Sequence, residues 1–285
     1  MSLSLNPSPP SASSEPAISF ARRAGKRIAF VADDLRRPET GTVVLAYHRV
    51  GGRTISPVDL ATKMFERQMA HLRASASVIT LDELVDGTVE RTGTPGTVVT
   101  FDDGTADFVD IVLPILVKYQ IPATLYLATS YVDTGRLYPA DGTPICWSGL
   151  RDALDTGLVT IGAHTHTHRL LDRCTLATAT DEIDRCTDRI ADELGVLARH
   201  FAYPKAVAPA PGPVDDLVRC RFASAAIAGT RPNVAGRTDL WRLARSPIQN
   251  ADGWEGFRRK AAGGMRSEDD LRRVINLVRY RGKSS

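Results

Sequence analysis

The strongest constraint on this chain is a repeated alternation. Short β-branched or apolar runs are separated by stretches of helical periodicity. Thr42–Tyr47 (TVVLAY) has the composition of a buried strand, and Val78–Thr80 and Thr97–Phe101 repeat it. Ala123–Leu127, Val159–Ile161, Phe201–Tyr203 and Phe222–Ile227 continue the series. Between them, Leu60, Met64, Met69 and Leu72 predict a helix over Asp59–Arg73, and Thr80 is placed to cap one running through Leu84 and Val85. Further helices are predicted over Asp107–Tyr119 (interrupted near its start by Pro114), Trp147–Asp155, Leu176–Leu194 (closed by Gly195) and Ser267–Tyr280. Strands this short, joined through helices, imply βαβ crossovers and a mostly parallel sheet. Such folds carry their chemistry on the loops that leave the carboxyl ends of the strands.

The rest of the sequence narrows the function classes. The chain has 285 residues, 43% hydrophobic and 24% charged, which is ordinary for a globular protein. Its 36 Lys and Arg nearly cancel 33 Asp and Glu, so net charge does not point to nucleic acid. The Arg-rich stretches near the end (Phe257–Lys260, Arg272–Arg273, Arg279–Lys283) are interleaved with Glu268, Asp269 and Asp270 and read as a solvated helix face and tail. No apolar run approaches the roughly 18–20 residues of a membrane span. Arg22, Arg23, Lys26 and Arg27 precede only five apolar residues, Ile28–Ala32, before Asp33 and Asp34. That is short of a secretory core, so a cytoplasmic location is expected. Cys146, Cys174, Cys186 and Cys220 show no CxxC spacing and are expected as filler. Residues 1 to about 17 are rich in Ser and Pro. A disordered tail with a basic segment is expected over 1–27, followed by one catalytic domain over 28–285.

Three strand ends hold unusual polar content. Two carboxylates, Asp102 and Asp103, stand where the Thr97 strand stops, and Gly104 frees the turn, although Asp-Gly is also a common turn pair. After Val159–Ile161 comes His164-Thr-His-Thr-His168, half of the six histidines within five residues. On a helical turn the i, i+4 spacing brings His164 and His168 to one side, where neutral imidazoles ligate zinc or a similar ion, and His166 points away. The third is Arg199-His-Phe-Ala-Tyr203-Pro204-Lys205, with aromatic, proline and basic residues crowded together. Tyr47-His48 and Leu243-Ala-Arg245 are weaker candidates.

The combination resembles the polysaccharide deacetylases (NodB homology domain, carbohydrate esterase family 4). TFDDG at Thr100–Gly104 is similar to their first motif, HTHTH to their H-[ST]-x-x-H second motif, and FAYP at Phe201–Pro204 to one branch's third. LAYHRV (Leu45–Val50) and LAR (Leu243–Arg245) resemble flanking signatures of that branch. The resemblance implies a distorted, incomplete (β/α) barrel, with its homology core at about 95–285. It implies Asp103, His164 and His168 as ligands of a divalent metal (zinc, or Co, Ni, Fe or Mn) and Asp102 as general base. Extended neighbours point to opposite sides, which separates the two aspartates. Arg245 is expected to orient Asp102. Tyr203, Pro204 and Lys205 are expected at the substrate and oxyanion position, with the donor being the backbone N–H after Pro204.

Two departures stand out. Lys205-Ala206 replaces an aromatic-glycine pair, and no histidine follows His200, so the general acid falls to His48 or His166. The expected reaction is hydrolysis of the acetamide of an N-acetylated amino sugar in a glycan or a glycan precursor. A lipid- or nucleotide-linked precursor suits a cytoplasmic location. The rival readings are an O-acetyl ester or another amide as substrate, and a non-catalytic glycan- or metal-binding relative.

Overall fold

The computed structural model describes residues 39–87, 95–265 and 268–269. The expected tail over 1–27 lies outside these residues, as does the expected Ser267–Tyr280 helix apart from Glu268 and Asp269. Seven parallel strands close into a barrel: β1 (Val43–Tyr47), β4 (Thr97–Phe101), β5 (Ala123–Leu127), β6 (Val159–Ala163), β7 (His200–Ala202), β8 (Ser224–Ala228) and β9 (Leu243–Pro247), with β9 returning to β1. A two-stranded ribbon, β2 (Arg49–Val50) with β3 (Asp59–Leu60), sits on the loop after β1. The connecting helices are α1 (Thr62–Ser75), α2 (Leu81–Val85), α3 (Leu113–Tyr119), α4 (Thr129–Thr134), α5 (Trp147–Asp155), α6 (Leu176–Leu194), α7 (Pro213–Arg221) and α8 (Gly253–Ala261). No helix among the described residues is long and apolar enough to cross a membrane.

Local signals account for most of these boundaries. Thr80 and Glu83 form a reciprocal capping box at the start of α2. Gly195 ends α6 in the left-handed conformation at φ 68°. Pro114 occupies the first turn of α3, where its missing N–H costs nothing, and a π-helical turn at Phe108–Val112 precedes it. Val78–Thr80 differs from the expectation of a strand: it makes a single bridge, Val78 to Thr97, because its next residue already opens α2. The strand β9 lacks the apolar run that predicts the others. Its Arg, Ser and Pro obscure the apolar pattern, yet Arg245, Ser246 and Pro247 pair with Val44, Leu45 and Ala46.

Strand alternation sets two populations of side chains. Tyr47 and Phe101 face outward, stack at 5.3 Å and meet Phe65 of α1, joining the main core between barrel and helices. Val44, Val98, Tyr126, Ala202, Ala226 and Leu243 face inward and fill the barrel. Tyr126 fits because β6 carries Gly162: a Cβ there would lie 2.5 Å from the tyrosine ring and 2.9 Å from the carbonyl oxygen of His200. On the inward face above this filling stand Asp102 and Arg245, at the carboxyl-end mouth.

Candidate metal centre at the barrel mouth

Asp102 follows β4, and its N–H donates to Tyr47 O at 3.0 Å. Its carboxylate is buried and gripped two-handed by the buried Arg245, at 2.6 and 2.8 Å. This is the bidentate geometry that favours arginine over lysine. Burial alone would raise the pKa of Asp102. The charge of Arg245 beside it, with His164 and His48, overrides that and holds the carboxyl well below the usual range. Arg245 in turn lies over the Tyr126 ring, 5.1 Å from its centroid. His48, one residue past β1, brings Nε2 to 3.8 Å from Asp102 Oδ2, while its Nδ1 is buried without a hydrogen-bond partner among the described residues.

Asp103 is separated from its neighbour by backbone reversal rather than by strand pleat. Its φ is 75°, a left-handed value uncommon outside glycine, and Gly104 follows at 96°. The strain is held in place by hydrogen bonds: Asp103 O accepts from Tyr138 Oη at 2.6 Å and from the Ala128 amide at 3.1 Å. Asp103 Oδ1 then lies 3.7 Å from His164 Nε2 and 3.4 Å from His168 Nε2. One ligand atom from each of the three residues falls within 4.8 Å of the others.

The His164–His168 segment is not the helical turn its spacing suggested. It is a loop in which Thr165 (φ 60°) and His168 (φ 61°) are left-handed, and this reversal brings His168 back over His164. His164 Nδ1 donates to Ala202 O at 2.6 Å, which fixes the tautomer and leaves the Nε2 lone pair facing Asp103. Burial and the neighbouring His164 push His168 down to about 4, so its imidazole is neutral and available as a ligand near neutral pH. A carboxylate and two imidazoles, converging beyond hydrogen-bond distance of one another, form a donor set suited to zinc or a similar divalent ion. Three ligands leave a further coordination position open.

His166 points away, as expected, but into protein rather than solvent. Arg185 donates to its Nε2 at 2.8 Å and its Nδ1–H donates to Thr129 Oγ1 at 2.9 Å, so neither nitrogen is free to act as the acid. Glu182 clamps the same loop: it accepts from the Thr167 amide at 2.8 Å and from Thr167 Oγ1 at 2.6 Å, and its own carbonyl accepts from the His166 amide. Sequence reading missed Glu182, although a signal was present. It is an acidic residue on the buried stripe of α6, among Ala179, Ile183, Cys186 and Ile190.

The third predicted group divides. Tyr203 follows β7 facing outward. Its ring is buried against Phe201 and its hydroxyl accepts from Arg242 at 2.9 Å, so its side chain is turned away from the mouth. Pro204 opens a 3-10 turn whose bonds run from Ala206 N to Tyr203 O and from Val207 N to Pro204 O; the Lys205 amide, one of the turn's first N–H groups, has no backbone acceptor among the described residues. Lys205 itself is left-handed (φ 53°), and its ammonium is near enough to contribute to the downward shift of His168.

A closed parallel barrel with its polar side chains gathered at the strand carboxyl ends is an enzyme architecture. The family model described as polysaccharide deacetylase matches residues 90–211, which contain Asp102, Asp103, His164, His168 and Tyr203–Lys205. His48 and Arg245 lie outside the matched span. No curated protein matches the chain in sequence. Among solved structures the fold is similar to that of a Streptococcus pyogenes deacetylase, PplD, in complex with acetate (TM-score 0.68, 18% identity, 79% of this chain and 99% of that one). It is also similar to IcaB from Ammonifex degensii (TM-score 0.67, 24% identity, 79% and 99%) and to a de-N-acetylase from Aggregatibacter actinomycetemcomitans (TM-score 0.63, 17% identity, 78% and 100%). At these identities the likeness is one of fold.

Proposed function

We propose that the protein is a metal-dependent N-deacetylase that hydrolyses the acetamide of an N-acetylated amino sugar to a free amine and acetate. The observation that carries this reading is the convergence of Asp103, His164 and His168 beside a second carboxylate, Asp102, that is held separately by Arg245. A divalent ion on the first three residues, zinc or a close relative, supplies Lewis-acid polarisation of the acetamide carbonyl and lowers the pKa of water. The chain's own residues do the rest. Asp102 takes a proton from the attacking water, its remaining lone pairs being open on the side away from Arg245. Arg245 fixes the carboxylate's orientation and keeps it ionised. The Lys205 amide donates to the oxygen that becomes negative as water adds to the carbonyl carbon. As the C–N bond breaks, His48 delivers a proton to the departing nitrogen, which is a poor leaving group without one. The roles of Tyr203 and Pro204 are to shape the turn that presents Lys205.

The same chemistry serves an O-acetyl ester, so substrate choice is decided by assay. Acetate release from N-acetylglucosamine and its oligomers is expected with zinc or cobalt and is abolished by chelation. Asp102→Asn, which keeps the shape but not the basicity, retains metal and loses about two to four orders of magnitude in kcat. A metal-loaded Asp102→Asn protein with full turnover overturns the base assignment.

A further inference from the structure

The loop after β7 is strained, and what holds it lies outside the mouth. Lys205 (φ 53°) and Ala206 (φ 59°) are consecutive left-handed residues, and neither is a glycine. Backbone of this kind persists only where its surroundings over-determine it. One side chain reaches both ends of the loop. Arg242 stands in the short turn before β9 and is half-buried. Its Nη1 donates to Tyr203 Oη at 2.9 Å, where the chain enters the loop, and its Nη2 donates to Pro209 O at 3.0 Å, where the chain leaves it. Tyr203 is buried, and burial pushes its pKa up to about 12, so the hydroxyl stays neutral and accepts a charge-assisted bond.

Arg242 is itself fixed. Its Nη2 also donates to Asp215 Oδ1 at 2.7 Å, and its Nη1 to Trp241 O at 2.8 Å. Asp215 is buried on α7, and its other oxygen accepts from Arg219 Nε at 2.9 Å. Burial works to raise the Asp215 carboxyl, but hydrogen bonds from Arg219 and Arg242 override it and hold the group below its ordinary value. Arg219 grips Asp239 through Nη1 and Nη2, at 3.2 and 2.6 Å. Asp239 accepts from the Trp241 amide at 3.0 Å and so caps the turn that carries Arg242. The circuit of Asp239, Arg219, Asp215 and Arg242 closes on itself and ties α7 and the approach to β9 to the loop after β7. A planar guanidinium fixes the separation of the two loop ends that it bonds, whereas an ammonium on a flexible stem fixes no such geometry.

We propose that Arg242 is a positioning residue for the reaction: by holding Tyr203 and Pro209 it keeps the turn between them reversed, and so aims the Lys205 amide at the oxygen that becomes negative. The proposal rests on the deacetylase reading above and on that amide as the oxyanion donor. It also gives the outward-facing Tyr203 side chain a part, since its hydroxyl is the handle by which the turn is held. A donor of this kind acts on the transition state and little on the bound substrate, so its misplacement lowers kcat and leaves KM and the metal unmoved.

The test uses the zinc-loaded protein, with kcat and KM for acetate release measured separately. The second readout is inhibition by a methylphosphonamidate of glucosamine, whose tetrahedral anionic phosphorus group stands where the acetamide would be. Arg242→Lys keeps the charge and loses the fork. It is expected to bind zinc as the wild type does and to lose about tenfold or more in kcat with KM little changed. Phosphonamidate affinity is expected to weaken by the same factor as kcat/KM. Tyr203→Phe, which removes one hydroxyl and keeps the ring, is expected to lose less, and to cost little more when added to Arg242→Lys, because both act through one contact. Should Arg242→Lys fail to fold, Tyr203→Phe carries the same comparison. A lower Tm with wild-type kcat and phosphonamidate affinity makes Arg242 structural support alone and overturns the proposal, as does full multiplication of the two losses in the double variant. Either result leaves the deacetylase standing. Absence of acetate from every acetamido sugar with the wild type overturns the deacetylase reading itself, and this proposal with it.

Discussion

At each end of the barrel the chain sets a histidine against an aspartate, and the two pairs differ in what their nitrogens are left to do. At the amino-terminal end, His200 is fully buried, its Nε2–H donates to Asp82 at 3.1 Å, and its Nδ1 accepts from Ser224 at 2.9 Å. Asp82 is also paired with Arg199. Every polar atom of that imidazole is used, which is how a buried histidine normally persists. At the mouth, His164 commits only Nδ1, and the Nε2 atoms of His164 and His168 stop 3.7 and 3.4 Å from Asp103. That is too far for hydrogen bonds and close enough to share one ion. The lesson is that proximity of His to Asp is uninformative, whereas converging lone pairs that the protein leaves without a donor mark a site built for something else.

The sharpest way to break the comparison is to remove a mouth ligand. Asp103→Ala or His168→Ala is expected to abolish stoichiometric metal by elemental analysis and acetate release together, because two remaining ligands do not make a closed-shell site. Since Asp103 is a strained left-handed residue, Asp103→Asn, which tolerates that conformation, separates loss of charge from release of strain; it also loses the metal. If either protein binds zinc at wild-type affinity, the mouth is no different from the base of the barrel.

A smaller effect is expected one step beneath the mouth. Tyr126 is fully buried, its ring carries the guanidinium that holds Asp102, and its hydroxyl has no partner among the described residues. The ring, not the hydroxyl, is the part in use. Tyr126→Phe keeps the face and removes an unsatisfied polar group, so activity is retained and thermal stability does not fall. Tyr126→Leu removes a desolvated cation–π contact of about 2 kcal/mol, so kcat drops about tenfold or more with KM little changed. Equal loss in both variants would place the hydroxyl, rather than the ring, in the support.

How far these contrasts could be read from the sequence depends on what kind of signal each leaves. Runs such as Val43–Tyr47 and Ala123–Leu127 are apolar on both faces, and that composition predicts a buried parallel strand directly. The residues Asp102, Asp103, His164 and His168 were legible as candidates because polar residues crowded at strand ends are conspicuous. The way they converge was not. The left-handed residues at 103, 165 and 168 are not glycines, so nothing local announces the reversals that replace the expected pleat and helical turn. The Arg245–Asp102 clamp is expected from the resemblance; what the sequence hides is the strand that carries Arg245, 143 positions from Asp102 and disguised by Ser246 and Pro247. Tyr203 misled for a different reason: adjacency to a motif does not say which face of the strand a side chain takes, and here the pleat turns it outward. His200 shows the converse, being as polar in sequence as the mouth histidines yet wholly consumed by structure.

The smallest effect expected belongs to that lower pair, and it is one of stability alone. Burial depresses the pKa of His200, and Asp82 opposes this only in part. A histidine whose folded pKa lies below its unfolded value of about 6.5 is bound by fewer protons in the native state than in the unfolded one. Stability therefore rises with pH, is fully present above that value, and declines as the pH falls below it toward the folded pKa. Replacing the ring by His200→Gln gives up hydrogen bonds worth about 1–3 kcal/mol at neutral pH and removes this histidine's share of the slope. Thermal melts between pH 7.5 and 5 are expected to show a lower Tm for the variant at the upper end and a narrowing gap toward the lower end, while metal content and kcat stay with the wild type. A gap that widens on acidification would mean that the native state favours the protonated imidazole, making Asp82 rather than burial the dominant influence on His200.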